Sequence, residues 1–162
     1  MDVLSFIHEM GSLKYMPRSG WLKLGIKIPE SVAEHSFRTA IIAMILAAKH
    51  GEEVAFKACA AALLHDIHES RTMDLHKLAK NYVSVDEEKA KRDQKFLSFD
   101  FKDVEVFVQD ADKLELAFQA VEYSQQIPDA IEFAKNLEFK TEEAKEIYKM
   151  LMEKRNPKWW KD

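Results

Sequence analysis

Glu52-Glu53-Val54-Ala55-Phe56-Lys57-Ala58-Cys59-Ala60-Ala61-Ala62-Leu63-Leu64-His65-Asp66 decides the fold. Two carboxylates open the stretch, where they favour the positive end of a helix dipole. An alanine-rich apolar run follows and reads as a buried helix, whose small side chains admit close neighbours. It ends on an imidazole and a carboxylate. An ionised Asp among Leu and Ala is costly unless it is paired or coordinated.

Upstream, Ser31-Val32-Ala33-Glu34 fits a capping box, with Ser31 as N-cap and Glu34 reaching back. The helix it opens extends to about His50, with Gly51 as its stop. Ala40 to Ala48 is apolar nearly all round, which places this helix centrally. Leu4 to Met10 reads as a first helix ending at Gly11. Lys14 to Pro29, with Pro17, Gly20, Gly25 and Pro29, reads as an ordered loop. Asp86 caps a charged helix reaching about Leu97. Lys102 to Tyr123 is a long helix, Ile127 to Ala134 a helical segment, and Thr141 caps a last helix, Glu142 to Lys154. The expected fold is therefore all-α, a helical bundle forming one domain over 1–162. The indoles of Trp159 and Trp160, in the tail at about 155–162, are expected to dock on the body or on a second subunit.

Composition agrees with this class. Among 162 residues only 4 are Gly and 4 Pro, too few for a turn-dense β-sandwich or barrel. The single cysteine, Cys59, excludes an internal disulfide framework and a Cys-rich zinc site. A net charge of -4 is unlike the basic footprint of a nucleic-acid-binding protein. A phosphate ligand must then be held by local charge or a metal ion. No targeting segment or membrane span is apparent, and a cytoplasmic protein is expected.

His35, His65, Asp66 and Asp112 each emerge from an apolar helix. Two imidazoles and two carboxylates form a mixed N/O donor set suited to Mn, Co, Ni, Fe, Zn or Mg, and positions left open make such a site catalytic. His8, His50 and His76 read as ordinary histidines.

Ser31-Val32-Ala33-Glu34-His35-Ser36, Leu64-His65-Asp66-Ile67-His68-Glu69 and Asp110-Ala111-Asp112-Lys113 together resemble the H…HD…D signature of the HD-domain phosphohydrolases. Leu13-Lys14, Pro17-Arg18-Ser19-Gly20-Trp21 and Phe118-Gln119-Ala120-Val121-Glu122-Tyr123 resemble the 5′-deoxynucleotidase branch, the match running over about residues 4 to 124. The resemblance implies an HD-type bundle and hydrolysis of deoxyribonucleoside 5′-monophosphates. It implies one divalent ion on His35, His65, Asp66 and Asp112, and a homodimer. Another HD activity (pyrophosphohydrolase or phosphodiesterase) and a non-catalytic helical regulatory module are the alternatives.

Within the resemblance, Glu69 handles the proton of the attacking water. Spacing agrees: were the helix to continue past Asp66, Glu69 would be i+4 from His65 and i+3 from Asp66. Arg18 is expected to fork onto phosphate. Trp21 forms a wall of the nucleoside pocket or staples its loop to the core. Asp74 matches a sugar-contacting acid, although the family places Gly before it and this chain has Met73. Glu34 is explained by the capping box, Glu122 by a solvated helix face or a pocket contact, and His68 is a candidate rim residue.

Overall fold

The computed structural model describes residues 2–94, 99–154 and 160, and its described residues form eight α-helices joined by 3-10 turns. In chain order these are α1 (Val3–Ser12), α2 (Ser19–Leu22), α3 (Val32–Ala47), α4 (Glu52–Leu64), α5 (Glu69–Thr72), α6 (Glu87–Asp93), α7 (Glu105–Tyr123) and α8 (Glu142–Lys154). Among the described residues no helix is long and apolar enough to cross a membrane.

α3 is the centre, packed most extensively against α4 and α7. Its capping box is present in full: Ser31 Oγ accepts from the Glu34 amide at 3.2 Å, and Glu34 Oε2 accepts from the Ser31 amide at 2.6 Å. Two orphan donors are thereby satisfied at the point where His35 enters the core. The alanine run does what its size permits. Ala55, Ala58, Ala61 and Ala62 of α4 lie buried against Ala40, Ala43 and Ala47 of α3, with Leu46 and Leu114 enclosed beside them. Each enclosed leucine contributes about 1.5–3 kcal/mol. Gly51, at φ 113°, reverses the chain between α3 and α4 in a conformation that a side chain would resist.

A second apolar cluster gathers Trp21, Ala117, Ala120, Val121, Ala130, Ala134 and Leu151. α7 therefore faces both clusters, and Asp110 in its second turn anchors the start of α8. Asp110 accepts from the amides of Lys140 (3.0 Å) and Thr141 (2.7 Å) and from Thr141 Oγ1 (2.7 Å).

Several boundaries differ from the sequence expectation. α1 passes through Gly11 to Ser12 and tightens into a 3-10 turn over Leu13–Tyr15. The expected loop 14–29 contains the single-turn helix α2. It is pinched at its neck by an isolated antiparallel bridge between Pro17 and Ser31, with Arg18 N–H on Glu30 O (2.9 Å) and Val32 N–H on Met16 O (2.8 Å). The helical segment expected over 127–134 is a 3-10 helix, Pro128–Ala134. The helix does not continue past Asp66: α4 stops at Leu64, and i→i+3 bonds such as Glu69 N–H to Asp66 O (3.0 Å) carry the chain into α5. The stretch expected as helix to Leu97 is helical over Glu87–Asp93, capped by Asp86, and 95–98 lie outside the described residues. Of the tail at 155–162 only Trp160 is described, so the expected docking of Trp159 also lies outside.

Candidate metal centre

Three elements bring four side chains together. His35 comes from the first turn of α3, Asp112 from the middle of α7, and His65 and Asp66 from the turn that ends α4. His35 Nε2 stands 3.1 Å from Asp112 Oδ1 and 3.7 Å from Asp66 Oδ2. His65 Nε2 stands 3.1 Å from Asp66 Oδ2 and 4.0 Å from Asp112 Oδ1. Donors about 2.1 Å from one ion lie roughly 3.0 Å apart at a cis-octahedral edge and about 3.4 Å apart at a tetrahedral one. The two 3.1 Å spacings match such an edge and the other two are longer; His35, His65 and Asp66 offer ligand atoms all within 4.8 Å of one another, with Asp112 beside His35.

The ring nitrogens point to the same use. His65 Nδ1 hydrogen-bonds the Ala62 carbonyl at 2.6 Å, which fixes the proton there and leaves Nε2 as a lone-pair donor. That Nε2 is buried without a hydrogen-bond partner. His35, fully buried, gives Nδ1–H to Glu115 Oε2 at 2.6 Å, so its Nε2 also faces the carboxylates. An orphaned imidazole nitrogen beside two carboxylates fits a divalent cation.

Charge is concentrated to match. Burial works against ionising Asp66 and Asp112, but the neighbouring imidazoles and Arg18 outweigh it and hold both carboxyls below the usual range. Burial also opposes a charged His35, but hydrogen bonds to Asp112 and Glu115 overcome it and raise the imidazole to about 9. Glu69 goes the other way. Burial first, then the charges of Asp66 and Asp74, push its carboxyl up to about 8, and its Oε2 is buried without a partner. The side chain of Asp112 is 43% exposed, so the centre opens to solvent on that side.

Arg18 Nη1 lies 3.7 Å from both Asp66 Oδ2 and Asp74 Oδ1, close enough for attraction and too long for hydrogen bonds. Asp74 Oδ2 accepts the Ser19 amide at 2.6 Å, which fixes Asp74 against the start of α2. The residue before it, Met73, has φ 61° and ψ 161°, a conformation natural to Gly and costing roughly 1–3 kcal/mol in a residue with a side chain. Trp21 is drawn into the core at 2% exposure. It packs edge-on to Tyr123 (5.1 Å) and on Phe133 (4.9 Å), while Nε1–H donates to Glu30 Oε1 at 3.0 Å. Of its two roles, this packing supports the staple.

The ordinary histidines are ordinary here: His50 stacks on Phe107 at 5.0 Å, and His76 Nδ1 accepts the Ala79 amide at 3.0 Å. His68 is buried, 3.7 Å from Glu87. A cavity of about 700 Å³ is walled by residues that include His65, His68, Gln94, Phe101 and Val108. Arg18, Glu69 and Asp74 are not among its walls, whereas His65 borders both the cavity and the polar cluster.

α5, which begins at Glu69, is fastened from below. Glu9 Oε2 accepts from Arg71 Nη2 (2.9 Å), and Glu9 Oε1 accepts from Ser70 Oγ (3.0 Å) and Gln94 Nε2 (2.6 Å). The Arg71 hydrogen bond, ahead of the others, lowers the Glu9 carboxyl from 4.5 to about 2. A lowered pKa stabilises the fold fully above the unfolded value, and that contribution fades as pH falls from about 4.5 to 2. Glu9→Gln is expected to cost about 1–3 kcal/mol in denaturant unfolding at pH 7, with the deficit already smaller at pH 3 and approaching zero only near pH 2 and below. An undiminished deficit at pH 3 would assign it to packing instead.

A His/Asp donor set gathered from three helical elements is chemically suited to a divalent ion. The chain belongs to the HD domain family, whose model matches residues 10–104. The 5′-deoxynucleotidase HDDC2 of Dictyostelium discoideum is 30% identical over 150 residues, 77% of this chain and 79% of that protein. Its human counterpart of the same name is 34% identical over 74 residues, 46% of this chain and 35% of that protein. Among solved structures, the crystal structure of genomics APC5600 is 65% identical with a TM-score of 0.95, each chain being covered to 98%.

Proposed function

We propose that the chain is a 5′-deoxynucleotidase, converting deoxyribonucleoside 5′-monophosphates to deoxynucleoside and inorganic phosphate. The observation that carries this is the convergence of His35, His65, Asp66 and Asp112 beside Arg18 and a buried, unpartnered Glu69. Relatives that carry the 5′-deoxynucleotidase name support the substrate class.

His35, His65, Asp66 and Asp112 would hold a divalent ion, which would supply Lewis acidity towards phosphate and make nearby water more acidic. Arg18, held only by loose contacts, turns its guanidinium onto the phosphate oxygens and stabilises their charge as the P–O5′ bond lengthens. Glu69, whose buried Oε2 has no partner of its own, orients the attacking water and takes its proton in its ionised form. Asp74 Oδ1 is left to accept a sugar hydroxyl, since Oδ2 is committed to Ser19. We place the enzyme in the cytoplasm with Mn, Co, Mg, Ni, Fe or Zn as the candidate ions.

Phosphate release from deoxy- and ribonucleoside mono-, di- and triphosphates, repeated with Mn, Co and Mg, tests this. Release from the deoxyribonucleoside monophosphates is the expected outcome. Activity confined to di- or triphosphates, or to none of them with any ion, would overturn it.

We also infer a homodimer. Phe37, Ile41 and Ile45 form a row along α3 at i, i+4 and i+8, exposed by 65%, 38% and 54%. Ile41→Glu is expected to give a monomer by light scattering where the wild type gives a dimer. A wild type that elutes as a monomer at micromolar concentration would refute the pairing.

A further inference from the structure

Glu115 lies on α7, one turn beyond Asp112, and is fully buried. A buried carboxylate needs cationic partners to stay ionised. It has two. Oε2 accepts from His35 Nδ1 at 2.6 Å. Oε1 accepts from Arg38 Nε at 3.0 Å and Nη2 at 2.8 Å. Arg38 is one turn beyond His35 on α3. Its remaining hydrogen-bonding capacity goes to Gln119 Oε1 (2.6 Å) and Glu122 Oε1 (2.7 Å), one and two turns further along the same face of α7. The guanidinium is thus clamped from three directions, and Glu115 is held in one rotamer beneath the imidazole.

The two histidines of the centre differ in this support. His65 rests its Nδ1–H on a neutral backbone carbonyl, and His35 rests it on a carboxylate. A carboxylate there does more than fix the tautomer, because it raises the donor strength of the opposite nitrogen. From this we infer that Glu115 is a positioning residue that sets the metal affinity of His35, with Arg38 fixing Glu115 in turn. The inference rests on the metal-centre reading above and concerns a residue that touches neither the ion nor the substrate.

Manganese binding to the full chain, followed by titration calorimetry, tests it without reference to turnover. Glu115→Gln keeps the shape and loses the charge, and it is expected to weaken manganese binding about 10- to 100-fold. Added manganese then recovers much of the lost turnover, whereas Asp103→Asn at the remote surface pair with Lys57 leaves affinity as it was. In ¹⁵N spectra of labelled imidazoles, the His35 Nδ1 proton persists on addition of zinc while the Nε2 signal moves. Glu115→Gln binding manganese as tightly as wild type would overturn the inference, and so would zinc acting at Nδ1. Should Glu115→Gln not fold, the imidazole spectra of the wild type decide alone. A wild-type chain that binds no divalent ion would instead remove the metal-centre reading itself.

Discussion

Glu69→Ala is expected to lower turnover by about 10²–10⁴-fold while manganese affinity remains within a few-fold of wild type. The separation follows from where the residue stands. Glu69 begins α5, beyond the turn that holds His65 and Asp66. Its Oε2 is buried and unpartnered, and its charge is opposed by burial and by Asp66 and Asp74. Removing the carboxylate takes away a proton acceptor and also relieves crowding of negative charge. Stability is therefore expected to hold or rise slightly, since an unsatisfied buried carboxyl is costly. Steady-state kinetics at saturating manganese, paired with calorimetry, read both quantities. Near-normal turnover in the alanine variant with the ion bound would assign the proton to another group.

Asp66→Asn is expected to remove both functions at once. Asp66 Oδ2 is the atom nearest to His65 Nε2, and it also faces His35 Nε2 and Arg18 Nη1. An amide of the same shape leaves those cationic and lone-pair partners without their counter-charge. Breaking a buried pair costs about 3–5 kcal/mol, which corresponds to a loss of roughly 10²-fold or more in ion affinity. Turnover at manganese concentrations that saturate the wild type then falls by at least the same factor. Equal manganese affinity in the Asn variant and the wild type would show that the four side chains do not share one ion. The contrast between the two variants separates holding the ion from handling the proton.

Much of this was legible in the residues. The capping box at Ser31, the stop at Gly51 and the caps at Asp86 and Thr141 each have a local cause, and the helices begin and end there. The four donors stood out because His and Asp are conspicuous in runs of Ala, Leu and Val. Glu115 did not. It sits in Lys113-Leu114-Glu115-Leu116, where a glutamate on a long helix reads as a solvated face, and only the crossing of α3 over α7 buries it. Trp21 had two readings because burial of a loop residue depends on partners more than 100 positions away, such as Phe133. The break after Leu64 was hidden because nothing in His65-Asp66-Ile67-His68 forbids a helix. Met73 gave a partial warning, since the family has Gly before the acid at this point and the backbone here has the positive φ that Gly tolerates best.

The pinch at Pro17 and Ser31 has a practical corollary. Lys23–Ile28 is an excursion whose base is already closed by backbone hydrogen bonds; Trp21 anchors it from before, and Leu24 and Ile26 pack against the second cluster, leaving Lys27 and Ile28 exposed. Lengthening a segment whose ends are tied adds only a logarithmic entropy penalty, about 0.6 kcal/mol per doubling. A peptide epitope or small reporter module spliced after Lys27, beyond the packed Ile26, therefore has a tolerant graft point, with Arg18 kept at its station by the neck.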